Sequence, residues 1–509
     1  MERTLYEWFA ASVARHGGEP ALEVGAERLT YRQLSDLADR VAGELLAAHG
    51  TVPRRVGLLA ERSVLAYAGY LAVQRLGSTV VPLNPSFPAA RTAAVVTAGE
   101  LDVVLAEEEH LGAAELPVPV LPLTREATGP VAELPAYAGD VDSVAYILFT
   151  SGSTGVPKGV PILHRNVSAY LGHVVSRYGM GPGSRVSQTF DLTFDLSVFD
   201  MFASWGGGAA LVVPGRKDLM APARFVAARE LTHWFSVPSV VSLARRLRSL
   251  PPGSMPTLRW SLFCGEPLTL QQAEAWRTAA AGSRVENLYG PTELTISCAE
   301  YRLPDDPADW PRPANGTVPI GALYPGLEQV VLDAEGLPCE DGELCVRGAQ
   351  RFPGYLDPAD DAGRFVAYDG VRARVFDGGG PVPEDLWYRT GDRVARQHGQ
   401  LVHLGRLDQQ VKVRGYRVEL GEIEAALRAQ PGVRDALVVA VPVAHGESGL
   451  EAVCTGSDLA PEALLAALRL RLPAYMVPGG LTVYDELPLN ANGKVDRRTV
   501  TARITAQDA

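Results

Sequence analysis

The chain has 509 residues, 47% of them hydrophobic and 21% charged, a balance that excludes a disordered or fibrous protein and supports more than one buried core. A formal charge of −12 leaves no basic excess for nucleic acid or for an anionic membrane, so neither is an expected partner. Five cysteines, an odd number with no Cys-x-x-Cys pair, suit reduced thiols in a cytoplasmic protein and carry no metal assignment.

Glu2 and Glu7 interrupt the apolar residues at the N-terminus, so neither a signal peptide nor a membrane span is expected to begin there. Leu5, Trp8, Phe9 and Val13 fall at helical spacing and predict a face docked on the protein's own core. Thr30 and Gln33 have the spacing of a capping box, predicting a helix from there to about Gly50. A strand at Val56–Leu59, a helix from Ser63 to Leu76 closed by Gly77, and a strand at Thr79–Leu83 then read as a βαβ crossover with parallel strands. Short apolar runs at 103–105, 144–150, 209–213, 234–237, 260–264 and 285–288 continue the alternation. From about Gly321 the chain turns to Gly/Pro-punctuated strands. Beyond Asp408 it reads as a small unit with a helix at Leu420–Leu427, a strand at Ala436–Val441 and a helix at Pro461–Leu470. The expected fold class is therefore α/β. A large N-terminal domain of parallel-rich sheets and helices (1–407) includes a β-rich subdomain (about 321–407), and a small mobile α+β domain (408–509) follows.

The stretch from Tyr146 to Val160 is the most informative. Its apolar start suits a buried strand, which breaks into Thr150, Ser151, Gly152, Ser153, Thr154 and Gly155, with Lys158 behind a proline. The glycines permit close backbone approach, while the hydroxyls and the lysine supply donors and positive charge, as a phosphate requires. The Gly-Lys-Ser/Thr of a Walker A loop is missing. Thr150 to Val160 resembles the phosphate loop of the adenylate-forming superfamily: acyl-CoA synthetases, luciferases and the amino-acid adenylation domains of nonribosomal peptide synthesis. Further segments resemble that family's motifs in its order. They are Phe263 to Pro267, Asn287 to Glu293, Tyr388 to Asp392, Gly405 to Asp408, Lys412 to Glu419, and the segment around Lys494.

The resemblance implies an ATP site built from the phosphate loop and Lys158, from Gly265, Glu266 and Pro267, and from Asn287, Leu288, Tyr289 and Gly290. Asp392 would bind both ribose hydroxyls and Arg406 the phosphate or ribose. Thr292 would touch the α-phosphate, Glu293 would help hold Mg2+, and Lys494 would be the catalytic lysine. Asp408 would be the hinge, and Gly415 would mark the loop where a thiol enters. His403, where relatives often carry an aromatic residue, is given no catalytic role.

Amino-acid activators in the family carry an aspartate after phenylalanine, and Asp195 follows Phe194 in such a segment. By resemblance Asp195 pairs with a substrate ammonium and Lys494 with its carboxylate. Leu196, Phe199, Ser236, Leu262, Cys264, Leu288, Ile296 and Ser297 would form the rest of the pocket. Because the other positions carry no charge, the substrate expected is a small neutral amino acid: alanine first, then proline, serine or cysteine, with Ser236 leaving serine open. The implied activity is that of a stand-alone enzyme that consumes ATP with Mg2+ and passes an aminoacyl group to the phosphopantetheine of a separate carrier protein. Arg245, Arg246 and Arg248, with Arg414 and Arg417, are nominated as a basic face for that carrier. An acyl- or aryl-CoA synthetase and a catalytically silent nucleotide-binding protein remain the alternatives.

Overall fold

Local signals set the helix ends. Thr4 and Glu7 form a capping box on helix Leu5–His16, and Thr30 and Gln33 form another on helix Tyr31–His49, which Gly50 closes in the left-handed conformation. Leu5 and Phe9 are buried, with the Phe9 ring 5.6 Å from Trp205, so the N-terminal helix packs on the protein's own core. The computed structural model describes residues 2–112, 115–126, 129–151, 157–408, 410–413, 415–443, 447–488 and 497–507. Among the described residues no helix is long and apolar enough to cross a membrane.

The strands of the large N-terminal region divide between two sheets. The first has six strands in the order Val120–Leu123, Val103–Glu107, Arg55–Leu59, Thr79–Leu83, Val144–Thr150, Lys158–Leu163. They are parallel except at the last pair, so the phosphate-loop segment lies between two antiparallel strands rather than after a lone strand. The second has nine strands, with a parallel centre of Arg284–Tyr289, Trp260–Phe263, His233–Ser236, Arg185–Ser187, Ala210–Val213 and Pro20–Val24 and antiparallel strands at both edges. Sequence periodicity overlooked Arg185–Ser187, a short strand with one apolar residue, yet it pairs centrally between Ala210–Val213 and His233–Ser236.

From Leu327 to Arg406 the chain forms a six-stranded antiparallel sheet. Then follow a hairpin of Gln410–Val413 with Tyr416–Glu419 and a three-stranded sheet of Val433–Val443, Glu447–Gly456 and Gly480–Val483. Helices Leu420–Arg428 and Pro461–Arg469 pack on this sheet. The overall architecture is thus α/β with a β subdomain and a small C-terminal domain. Parallel strands present their carboxyl ends on one side, and here Thr150, Ser236, Phe263 and Tyr289 end their strands around a common cleft.

Candidate active site

Two adjoining cavities open at those strand ends, one of about 100 Å³ and one of about 50 Å³. Cys264, Gly265, Gly290, Asp392 and Lys412 line both.

The smaller cavity lies between Glu266, Pro267, Asn287, Leu288, Tyr289 and His403. Asn287 donates its amide to the carbonyls of Val318 (3.2 Å) and Pro319 (2.9 Å), while its buried Oδ1 has no partner among the described residues. An exocyclic amine of a flat heterocycle would satisfy that acceptor. At the cavity rim Asp392 accepts from Tyr289 (2.6 Å), from Arg406 (3.0 Å) and, when protonated at Nε2, from His403 (3.1 Å). Burial alone would raise the Asp392 carboxyl, but the His403 hydrogen bond and the Arg406 charge hold it well below the usual range. His403, to which the sequence assigned no role, thus helps orient Asp392. Arg406 also forks onto Asp408 at 2.7 and 2.6 Å, tying the nucleotide side to the position read as a hinge.

The larger cavity is lined by Asp195, Leu196, Cys264, Ile296 and Thr292, with Thr150 and Ser151 on its other wall. Asp195 precedes helix Leu196–Gly207, and its side chain makes no capping bond to it. It is 8% exposed and has no ion-pair partner within 4 Å among the described residues; a hydrogen bond to Thr292 only partly offsets burial, which pushes its carboxyl up to about 6. Ile296 and Thr295 have φ of 74° and 58°, a left-handed backbone that β-branched residues rarely adopt. Buried Gln350 holds this turn by donating to the carbonyls of Leu294 (3.1 Å) and Ser297 (2.8 Å), while Thr295 donates to the Gln350 carbonyl (2.6 Å). The strained turn is what aims Ile296 into the cavity. Gln350 has no local sequence signal, because it acts across more than fifty residues.

Of the positions assigned to an amino-acid pocket, four therefore lie on this cavity: Asp195, Leu196, Cys264 and Ile296. Leu288 faces the smaller cavity instead, and Phe199, Leu262, Ser236 and Ser297 lie buried behind the wall. Phe199 packs edge-on against Phe235 at 4.8 Å within the core. The Ser236 hydroxyl is committed, accepting from Trp234 Nε1 (2.9 Å) and donating to the Val237 carbonyl (3.1 Å). The Ser297 hydroxyl is held between Tyr170 (3.2 Å) and Tyr324 (2.8 Å).

The small-domain hairpin reaches into the same cleft. Its sequence alternates polar and apolar residues, and the register pairs Gln410 with Glu419 and Lys412 with Arg417. One face is therefore Gln410, Lys412, Arg417 and Glu419, while Val413 and Val418 join the small-domain core from the other. Ser151 donates to the Arg417 carbonyl (2.9 Å) and accepts from Glu419 N (3.0 Å). Arg417 lies 2.9 Å from both oxygens of Glu293, which is 0% exposed and also accepts from Tyr355 (2.7 Å). Burial would raise the Glu293 carboxyl, yet the Arg417 charge and the Tyr355 hydrogen bond bring it down to about 2. This corrects the nomination of Arg417 for an exposed basic face: its side chain is only partly exposed and is committed to an ion pair with a fully buried carboxylate. Arg245, Arg246 and Arg248 are exposed.

Gly415 has φ of 84°, and a Cβ there would lie 2.6 Å from Val237, so only glycine permits the hairpin to approach this closely. Its N–H donates to Glu266, whose other backbone partner is Ser239 N at 2.8 Å. Tyr416 stacks on Tyr475 at 3.7 Å and meets Phe194 edge-on at 4.6 Å, and Arg91 pairs with Glu422 at 2.7 Å in a buried bridge. Lys158 is paired with Asp360 at 2.7 Å and does not line either cavity. Gly152, Ser153, Thr154, Gly155, Arg414 and Lys494 lie outside the described residues.

A family model described as AMP-binding enzyme matches residues 9–356, and another, AMP-binding enzyme C-terminal domain, matches residues 422–494. The chain is 37% identical over 507 residues to the probable non-canonical nonribosomal peptide synthetase CymA of Salinispora arenicola, a match that covers 97% of this chain and 6% of that protein. It is 33% identical over 525 residues to an L-proline–[L-prolyl-carrier protein] ligase of Pseudomonas fluorescens, covering 99% of each. The crystal structure of the Vibrio cholerae adenylation domain AlmE in complex with glycyl-adenosine-5'-phosphate superposes with a TM-score of 0.83 at 28% identity, covering 99% of this chain and 98% of that one. With the first model matching well over half of its length and the second matching its C-terminal region, the chain belongs to the AMP-binding, adenylate-forming enzymes.

Proposed function

We propose that this protein is an amino acid–[carrier protein] ligase. It uses ATP to adenylate a small neutral amino acid, releases pyrophosphate, and transfers the aminoacyl group to the phosphopantetheine thiol of a separate carrier protein. The observation that carries the reading is Asp195, a buried carboxylate with no ion-pair partner within reach among the described residues, on the wall of a cavity otherwise made by Leu196, Cys264 and Ile296. Keeping such a group charged is unfavourable until a cation arrives, and the α-ammonium of an amino acid is a cation of suitable size.

Adenine fits the smaller cavity, where the unpartnered Asn287 Oδ1 would accept from its amine and Tyr289 would pack on the ring, with Asp392 at the ribose. The uncharged lining by Leu196, Cys264 and Ile296 supports a small neutral amino acid, alanine first. The relatives' printed names add proline and glycine as neighbours in size. Serine moves down the order, because the Ser236 hydroxyl already has both a donor and an acceptor.

Glu293 would hold Mg2+, which supplies charge neutralisation to the triphosphate when bound; magnesium commonly takes one or two carboxylates along with substrate phosphates. That donor set fits only with Arg417 withdrawn, since its guanidinium otherwise meets both Glu293 oxygens. The hairpin position described above therefore suits the step after pyrophosphate has left. Adenylation calls for a second orientation, with rotation at Asp408 bringing Lys494 to the α-phosphate and carboxylate. ATP–pyrophosphate exchange measured across all proteinogenic, D- and β-amino acids tests the assignment. Exchange stimulated by alanine or a neighbour in size is expected, and absence of exchange with every acid would refute it.

A further inference from the structure

The lysine beside the cleft is held away from it. Lys158 begins strand Lys158–Leu163 and is the register partner of Thr150, which ends its own strand at the wall of the larger cavity. A lysine on a flexible four-carbon stem at that place can reach a phosphate in the cleft. Its ammonium instead lies 2.7 Å from Asp360, in the short helical turn Pro358–Asp361 of the β subdomain, and Asp360 has no other ion pair among the described residues. Both side chains are largely shielded from solvent, so this pair is stronger than an exposed one. The ammonium also stands 5.6 Å from the centre of the Tyr355 ring, whose hydroxyl donates to Glu293 at 2.7 Å. The turn does not need the ion pair to hold its place. Leu356 N donates to the Gly159 carbonyl (3.0 Å), and a Cβ on Gly159 would lie 2.5 Å from the Leu356 side chain. Backbone contacts thus present Asp360 to Lys158, and the lysine can leave it by rotating its own stem while the turn stays put.

Two groups suited to a triphosphate are therefore engaged elsewhere at the same time, Glu293 by Arg417 and Lys158 by Asp360. We propose that Asp360 is a positioning residue that competes with the β- and γ-phosphates for Lys158, lowering the affinity for pyrophosphate once the adenylate has formed and so protecting the adenylate from reversal. This rests on the ligase reading above. In the reversal a pyrophosphate oxygen bonds to the α-phosphorus and the bond from phosphorus to the acyl oxygen breaks. The amino acid leaves as its carboxylate with the electron pair, and ATP is formed again. Asp360 touches none of these atoms and acts only through the lysine. Two simpler explanations compete: Asp360 would steady Lys158 for phosphate binding, or its negative charge would repel any anion nearby.

Calorimetric titration of the whole protein with inorganic pyrophosphate separates the three. Releasing Lys158 in Asp360→Asn should tighten binding about five- to tenfold, between the small effect of an exposed pair and the larger one of a buried pair. Asp360→Glu, which keeps the carboxylate, should stay closer to wild type. In a Lys158→Met background the same Asp360→Asn change should move the affinity by less than about twofold, because the two residues act as one unit. A second readout starts from the purified adenylate of the amino acid that supports exchange. The pyrophosphate concentration giving half-maximal ATP formation should fall in Asp360→Asn by the factor seen in the titration. Weaker or unchanged pyrophosphate binding in Asp360→Asn overturns the assignment, as does equal tightening with and without Lys158, which is plain repulsion. Failure of wild type and Asp360→Asn alike to bind pyrophosphate overturns it too. A wild-type protein that binds pyrophosphate but exchanges it with no amino acid would instead overturn the ligase reading, while the titrations in the two backgrounds still decide whether Asp360 restrains Lys158.

Discussion

Asp195→Asn should make the protein more stable while disabling it. Burial raises the Asp195 carboxyl from 3.8 to about 6, and at about 1.4 kcal/mol per unit this corresponds to ~3 kcal/mol given up by the folded state at neutral pH. Because the folded pKa lies above the unfolded one, the penalty is full above the folded value and shrinks as pH falls between the two. It is gone once the carboxyl is protonated in both states. An isosteric amide removes the ionised group and with it the penalty. For a chain of this length an entropy of unfolding near 1 kcal/mol per kelvin converts the gain to a rise in Tm of roughly 3 °C at about pH 8, falling to a small fraction of that by about pH 4. The same substitution removes the partner of the substrate ammonium, which amounts to roughly 3–5 kcal/mol, or two to four decades in kcat/KM for the amino acid. Thermal denaturation of wild type and variant at both pH values, alongside pyrophosphate exchange, measures the pair of effects. A variant destabilised at high pH, or stabilised equally at both, would mean that Asp195 is already neutralised within the fold, and the reasoning would fail.

Gln350→Ala leaves the buried carbonyls of Leu294 and Ser297 without their donor, at about 1–3 kcal/mol each. The Ile296 turn should relax, raising KM for the amino acid well above any change in KM for ATP, as read from exchange kinetics. Arg417→Ala would strand Glu293 if the hairpin stayed docked, a penalty of roughly 3–5 kcal/mol that undocking relieves; spin labels on Arg224→Cys and Arg469→Cys, both exposed positions, should report a shifted distance distribution. Charge reversal at Arg245, Arg246 and Arg248 should slow loading of an acidic carrier protein at low salt and matter less at high salt, while leaving pyrophosphate exchange intact. Lys494→Ala should lose exchange more than transfer and Gly415→Trp the reverse, the two half-reactions assayed separately; equal losses in both variants would refute rotation at Asp408.

Much of this protein is written locally. The capping box of Thr30 and Gln33, the glycine after His49, the apolar strands ending at Thr150 and Tyr289, and the Phe-Asp of Asp195 each depend on residues a few positions apart, which a sequence displays directly. The hairpin alternation from Gln410 to Glu419 likewise fixes which side chains share a face. What that face meets is not local. That Arg417 finds Glu293, that Lys412 faces the shared wall, and that Gln350 strains the Ile296 turn are contacts between residues far apart in the chain, and only the packed structure brings them together. The division of the strands into six and nine, with Arg185–Ser187 inside the larger sheet, is decided the same way, because backbone pairing there overrides a side-chain pattern too short to read. Sequence determined which groups this protein possesses and which way each local segment turns them. Tertiary structure decided which of those groups are neutralised and which stay available, because charge compensation and burial depend on distances that no spacing along the chain encodes.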